Sequence, residues 1–309
     1  MITTTQTKNR IDQLITLDKQ TDTIHSRYNA RLLQYIASHL NQFYDHYATD
    51  NGLDLNTASQ ELNSWDVDQW NQALSQFNPS TWPVPAKARL AAYAAAAHID
   101  KKHMLTAIIA VGLIANTVIT QRHILDRIAQ DGITQGKFLH HYLNDSAKAD
   151  RDGLKIVTKN RLKPKWIKTL WSHPDNIADD VETLVNKKIR KGMTAKDLDK
   201  LLTFHANPAM RTPNTSIADR VAQLIGDAGR ITRTESASEI NDINRAIYID
   251  SGVREVDIVN MPGACVLCQD LAADNPYDIM DYPNLPYHIN CRCSVTVHSS
   301  PLITHAMLF

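Results

Sequence analysis

The sequence predicts a mainly α-helical protein that closes in a small α+β module, and three observations carry that expectation. Apolar residues recur at three- and four-residue spacing over most of the first 250 positions, the period of a helix with one buried face. Near the C-terminus two runs, residues 253–259 and 288–297, have the Val-rich character of short strands. All four cysteines, Cys265, Cys268, Cys291 and Cys293, fall in this last part of the chain, with His288 among them. The expected architecture is therefore helical N-terminal and middle regions, then a terminal helix and short antiparallel strands stapled by a Cys/His cluster.

At 309 residues the chain is long enough for two or three domains and a substantial core. Lys plus Arg equals Asp plus Glu at 33 each, so global charge selects no partner. The first ten residues lack the apolar run of a secretory signal, and the most apolar segment, residues 107–115, is about half of the ~18 residues that suggest a spanning helix. The reading is a soluble protein made in a reducing cytoplasm, with no membrane partner. Its few cysteines are then better metal ligands than a disulfide framework.

Residues 1–23 are polar and are expected to be loosely held. A helical N-terminal domain is expected over 24–150. Tyr28, Leu32, Ile36, Leu40, Phe43 and Tyr47 share one helical face, and Asn51-Gly52 ends that helix. Residues 57–77 read as one or two short helices carrying Trp65, Trp70 and Phe77, followed by the Pro-punctuated stretch 78–85. A long helical region is expected over 86–129, apolar on nearly every face at its centre and so buried between other helices or other subunits.

A basic helical linker is expected over 151–215. Lys155, Lys159, Arg161, Lys163, Lys165 and Lys168 occur there with Trp166 and Trp171 interleaved, and no Asp or Glu falls among them. Such a segment can lie against phosphates, as a candidate DNA contact, or form one solvated face of a surface helix. Thr194 and Asp197 have the spacing of a helix cap. The C-terminal domain, 216–309, opens with a helix over 216–250. This helix carries Arg233-Thr234-Glu235, then Ile240, Ile243 and Ile247 as a buried stripe. Arg233 and Glu235 are two apart, so they face different ways, and each needs a partner from elsewhere, most simply from the cysteine-bearing segment.

Cys265 and Cys268 have the separation of a zinc knuckle, and thiolate and imidazole are the ligands a tetrahedral zinc site favours. The second half offers His288, Cys291 and Cys293, one more than a four-ligand site needs, so the fourth position stays open. A structural zinc ion is the expected cofactor; the competing reading is a small packed core or disulfides. Arg292, between two cysteines on the expected strand, points away from both and is placed to reach Glu235 or the acidic loop over 271–286. From residue 251 onward there are two Arg, no Lys and six acids, so the terminal module is acidic. Charge separation within one chain mildly favours assembly with charged neighbours.

An Arg-Thr-Glu helix, a strand leading to Cys-x-x-Cys, and a closing His-x-x-Cys-Arg-Cys resemble, in that order, the C-terminal domain of the phage head morphogenesis family, the Mu F-like minor head (minor capsid) proteins of tailed bacteriophages. That family's pattern ends Pro-Pro-x-His-Pro-x-Cys-Arg-Cys. Here Pro286, His288 and Cys291-Arg292-Cys293 are kept, while Leu285 and Ile289 replace two prolines, which bears on the rigidity of the turn more than on the ligands. The resemblance covers 228–297, and more loosely Trp171-Ser-His-Pro-Asp, Leu184 and Gly192-Met-Thr upstream. It implies a virion head component made in the host cytoplasm, acting at the portal vertex with the portal protein and other capsid or scaffold proteins. In some relatives contact with packaged DNA is also implied.

Enzyme classes lack their parts, and no catalytic residues are expected. A zinc deaminase needs His-x-Glu, which occurs nowhere in the chain, and the Pro-Cys-x-x-Cys spacing is not met. His-Glu-x-x-His, Gly-x-Ser-x-Gly and the phosphate-loop pattern are missing too. The alternative is a zinc-stapled nucleic-acid-binding protein outside the virion. Changing Lys159, Lys163 and Lys165 to Glu is expected to weaken DNA retention in filter binding and flatten its salt dependence. An unchanged slope makes the basic segment a solvated or protein-facing surface.

Overall fold

The computed structural model describes residues 2–143, 155–157, 164, 166–203 and 216–299. Its helices are α1 (Thr4–Tyr47), α2 (Leu55–Ala58), α3 (Ser64–Ser75), α4 (Val84–Ala97), α5 (Lys101–Tyr142), α6 (Ile167–Ile189), α7 (Ala195–Leu202) and α8 (Ile217–Asp250). Strand β1 (Glu255–Val259), helix α9 (Val266–Ala273), and strands β2 (Tyr277–Asp278) and β3 (Ser294–Val297) follow. The chain is thus mostly helical, with a small antiparallel sheet and a Cys/His cluster near its C-terminus.

Two expectations about elements are corrected and one is refined. Residues 1–23 are not loose: α1 begins at Thr4 and runs unbroken through them. Their buried positions, Thr7, Arg10, Ile11, Leu14 and Asp18, keep helical spacing, but polar side chains share the stripe, which hides it from a hydropathy reading. The helical region expected over 86–129 is formed by two helices, α4 and α5. Asp100 accepts the His103 N–H at 2.9 Å and so caps a fresh start. The returning strand expected over 288–297 is only β3, because a tight turn occupies the residues before it.

The chain divides into two units, each assembled from separated stretches, so they do not coincide with the contiguous blocks 24–150, 151–215 and 216–309. One unit comprises Thr21–His123 and Lys165–Gly229. Its main core joins Leu32, Ile36, Leu40 and Phe43 of α1 to Leu105, Ile109 and Leu113 of α5 and to Ile177, Val181, Val185 and Ile189 of α6. Gly112 lets α1 approach α5 closely, since a Cβ there would lie 2.5 Å from the Tyr35 ring. Helix α5 is long and apolar enough to cross a membrane, yet 83% of its most apolar window is buried inside the protein. The α7 start keeps the expected cap: Thr194 Oγ1 accepts the Asp197 N–H, and the Asp197 carboxylate accepts from Thr194.

The other unit comprises residues 1–20, 124–164 and 230–309, of which the residues named above are described. Its sheet has the order β2-β1-β3, both pairs antiparallel, with Val256 opposite Val297 and Ile258 opposite Val295. Val256, Ile258 and Val295 share a core with Ile243, Ile247 and Tyr248 of α8, Leu139 of α5 and Ile2. The Ile stripe read from the sequence is thus the face on which the sheet rests.

Gly52 pairs with Thr49 in a turn at φ +90°, and a Cβ there would sit 2.5 Å from the Met193 carbonyl oxygen. Gly52→Ala is expected to lower stability by about 1–3 kcal/mol, read from the urea midpoint. An unchanged midpoint contradicts this account of the turn.

Candidate metal centre

The knuckle is the start of a helix. Cys265 is the N-cap of α9 in extended backbone, and its carbonyl accepts the Gln269 N–H at 3.0 Å. The nearby Cys268 backbone, ahead of His288, lowers the Cys265 pKa below the usual thiol range. Cys268 lies one turn on and is buried, which pushes its thiol up to about 12. Both sulfurs lie 3.2 Å from Nε2 of His288. His288 Nδ1 is 2.9 Å from the Ile289 carbonyl oxygen. A carbonyl only accepts, so Nδ1 carries a proton; in the neutral ring Nε2 then turns its lone pair to the sulfurs. Metal-ligating histidines are oriented in this way.

Cys268 belongs to two donor groups, one with Cys265 and His288 and the other with Cys291 and Cys293. Its sulfur is 3.7 Å from that of Cys291. Two thiolates on a tetrahedral zinc ion at ~2.3 Å stand roughly 3.8 Å apart, so this pair matches an edge of such a site. The cluster could therefore hold a metal ion. Cys293 is engaged from behind: its sulfur accepts the Met261 N–H at 3.4 Å and lies 3.6 Å from Asn260 Oδ1. A hydrogen bond from the Cys293 thiol is the main reason that Cys291 is lowered to about 5, while the same bond raises Cys293. Two sulfurs inclined to ionise thus stand beside two inclined to keep their protons, a set in which a cation can replace protons.

A turn presents His288 and Cys291 together. The Cys291 N–H donates to the His288 carbonyl at 3.2 Å, and Asn290 between them has φ +66°, a region Asn tolerates better than most residues. Helix α8 holds that turn. Arg233 Nε donates to Asn290 Oδ1 at 3.0 Å, and the Asn290 N–H donates to Thr234 Oγ1 at 3.2 Å. Two members of the Arg-Thr-Glu motif therefore grip the residue between the candidate ligands. Glu235 is half-buried on the same helical turn.

Arg292 is buried, and its carboxylate partner is neither Glu235 nor the acidic loop, as the spacing suggested, but Asp18 of α1. Nε and Nη2 donate to the two Asp18 oxygens at 2.9 and 2.6 Å, a bidentate pair. Arg292 precedes β3 rather than lying within it, so strand alternation does not set its direction. Its Nη1 donates to Ser236 at 2.8 Å, and Ser236 in turn donates to Asp131 of α5. Arg127 closes the circuit, 3.2 Å from Asp18 and 3.0 Å from Asp131. Beyond it, Arg10 donates to Gln135, Gln135 to Asn244, and Asn244 to Ser294 at the start of β3.

Of the basic residues, Lys155 and Lys168 are exposed, and Lys159, Arg161, Lys163 and Lys165 lie outside the described residues. Trp166 and Trp171 are both buried, and Trp171 donates its indole N–H to Gln121 at 2.6 Å. Neither ring is placed as a base-stacking platform. Sequence reasoning missed Asp18, Asp131, Ser236 and Asn290. The signal that could have found Asp18 is its place, four residues after Leu14, on the stripe begun by Thr7 and Ile11.

Comparison with models of protein families, with curated proteins and with solved structures finds no match.

Asp18→Ala leaves the Arg292 guanidinium buried without its carboxylate. The expected loss is about 3–5 kcal/mol of stability, measured by urea denaturation. A loss under 1 kcal/mol shows that the network contributes little.

Proposed function

We propose that the protein is a minor head protein of a tailed phage, acting in head morphogenesis at the portal vertex, with a structural zinc ion in its terminal module. The observation that carries this reading is the meeting of three motif pieces far apart in sequence. Arg233 and Thr234 hold Asn290 between His288 and Cys291, Ser236 holds Arg292, and the turn abuts the Cys265–Cys268 helix start. Residues that define the resemblance thus depend on one another physically, which chance matches of a short pattern need not do.

Zinc is proposed on Cys265, Cys268, His288 and Cys291, with Cys293 as a hydrogen-bonding support behind Cys291. The donor types, the 3.7 Å sulfur–sulfur edge and the oriented imidazole support that choice. The ion would tie α9 to the turn before β3 and supply no reaction step. Around it Val266, Leu267, Tyr287 and Ile289 are at least half exposed. Large apolar side chains grouped at one surface favour a protein partner, here the portal protein or another capsid or scaffold protein. Packaged DNA is a further partner the resemblance suggests, through the basic residues between 155 and 168.

Mass spectrometry of purified DNA-filled heads is expected to detect the chain. Its presence only as free protein in the infected cell overturns the virion reading in favour of a nucleic-acid-binding module. Atomic emission on purified protein is expected to give about one zinc per chain, lost in Cys265→Ser. Metal-free protein with four free thiols excludes the ion.

A further inference from the structure

The four sulfurs of the terminal module differ in what can reach them. Cys265 is exposed at the N-cap of α9, whereas Cys268, Cys291 and Cys293 are buried. A small disulfide in solution therefore meets Cys265 before it meets the others. Behind Cys265 the sulfurs stand in series. Those of Cys265 and Cys268, with a His288 ring nitrogen, lie within 4.8 Å of one another, and so do those of Cys268, Cys291 and Cys293. Cys268 is common to both groups, and its sulfur is 3.7 Å from that of Cys291. A bond between these two needs them to close by only roughly 1.7 Å. Cys293 is held elsewhere, accepting the Met261 N–H at 3.4 Å and lying beside Asn260 Oδ1.

We propose that this cluster is a thiol–disulfide relay, which is oxidised by a small disulfide at Cys265 and passes the bridge through Cys268 to Cys291. The Cys265 sulfur attacks the disulfide RSSR, bonds to one sulfur and expels the other as RS−. Cys268 then attacks Sγ of Cys265 and expels the second RS−. Finally Cys291 attacks Sγ of Cys268, and the Cys265 sulfur leaves with the electron pair of the broken bond. The net change oxidises Cys268 and Cys291 to one bridge and reduces RSSR to two RSH, which carry off the two thiol protons. The intermediate bridge spans a single turn of α9. The final one joins α9 to the turn before β3, the same link proposed for the zinc ion. Bridged sulfurs are no longer thiolate ligands, so bridge and ion exclude each other. That exclusion rests on the metal reading above, whereas the relay needs the sulfurs alone. A head protein assembled in a reducing cytoplasm and carried outside it would exchange one staple for the other.

The test incubates the full chain, purified reduced, with oxidised glutathione. Bridges are mapped by mass spectrometry of unreduced tryptic peptides, in which cleavage at Arg292 separates Cys291 from Cys293. Zinc release is followed with a chromogenic chelator. The expected product is one Cys268–Cys291 bridge per chain, with Cys265 and Cys293 free and zinc released in step with the bridge. Cys265→Ser, a change at an exposed position, is compared with the unchanged protein with EDTA present in both. It is expected to slow formation of that bridge about tenfold or more. Cys291→Ser is expected to stop at a Cys265–Cys268 bridge. A lasting glutathione adduct on Cys265, a bridge to Cys293, or an undiminished rate in Cys265→Ser overturns the relay. Protein that forms the expected bridge but is purified without zinc overturns the metal reading alone.

Discussion

The pairing of Arg292 with Asp18 is the constraint on which the terminal unit depends. The two residues are separated by most of the chain, yet both are buried and joined by two short charge-assisted bonds. A guanidinium taken out of water is tolerated only if its donors are met, and here a carboxylate and a serine meet them. The same carboxylate also receives Arg127, and Ser236 passes the connection to Asp131. Elements contributed by α1, α5, α8 and the cysteine segment are therefore fixed to one another by a closed circuit. A one-residue slip in any of them would strand a buried charge. Such a circuit adds less net stability than an apolar core of equal volume, but it penalises wrong arrangements heavily.

That circuit sits directly behind the candidate metal centre. Cys291 and Cys293 flank Arg292, so fixing the guanidinium fixes the backbone from which both sulfurs project. From the other side, Arg233 and Thr234 hold Asn290 at a positive φ that a flexible loop would not keep. Here the clamp replaces local stiffness: Leu285 and Ile289 do not restrict the backbone as proline would, and side chains from α8 supply the rigidity. Donor atoms held in this way lose little freedom on binding an ion, which is the condition for a structural site.

The sequence reading succeeded where one period or one spacing decides the outcome. The Leu32–Phe43 face, the Ile243–Ile247 stripe and the Thr194 cap each depend on neighbours within a turn or two, and each is found as read, as is the Cys/His grouping, which ligand type and spacing announce. It failed where a partner is distant. The stripe of α1 is half polar because Arg10 and Asp18 are buried for their charges, so an apolar pattern cannot reveal it. Trp166 and Trp171 sit among cations in sequence but are both buried while Lys168 is exposed, because successive residues of a helix are turned about its axis and only some of them face the core. Asn290 carries no signal at all without its contacts, since its φ is set by Arg233 and Thr234.

The terminal sheet could not stand by itself. Its strands are five, two and four residues long, and sheets of that size need a helix against one face. Helix α8 supplies that face through Ile243, Ile247 and Tyr248, and the Tyr248 hydroxyl also donates to the Val295 carbonyl at 3.3 Å. This accounts for β1 and β3 but not for α9, which is short and carries an exposed Val266 and Leu267 at its start. Few buried contacts hold that helix start, and its ties to the turn run through the sulfurs and His288. The two devices thus divide the work: the ion-pair circuit anchors the strand side of the module, and the Cys/His cluster anchors the knuckle. The exposed apolar residues Val266 and Leu267 stand at that helix start. Ordering that part is what a metal ion held by the cluster would do.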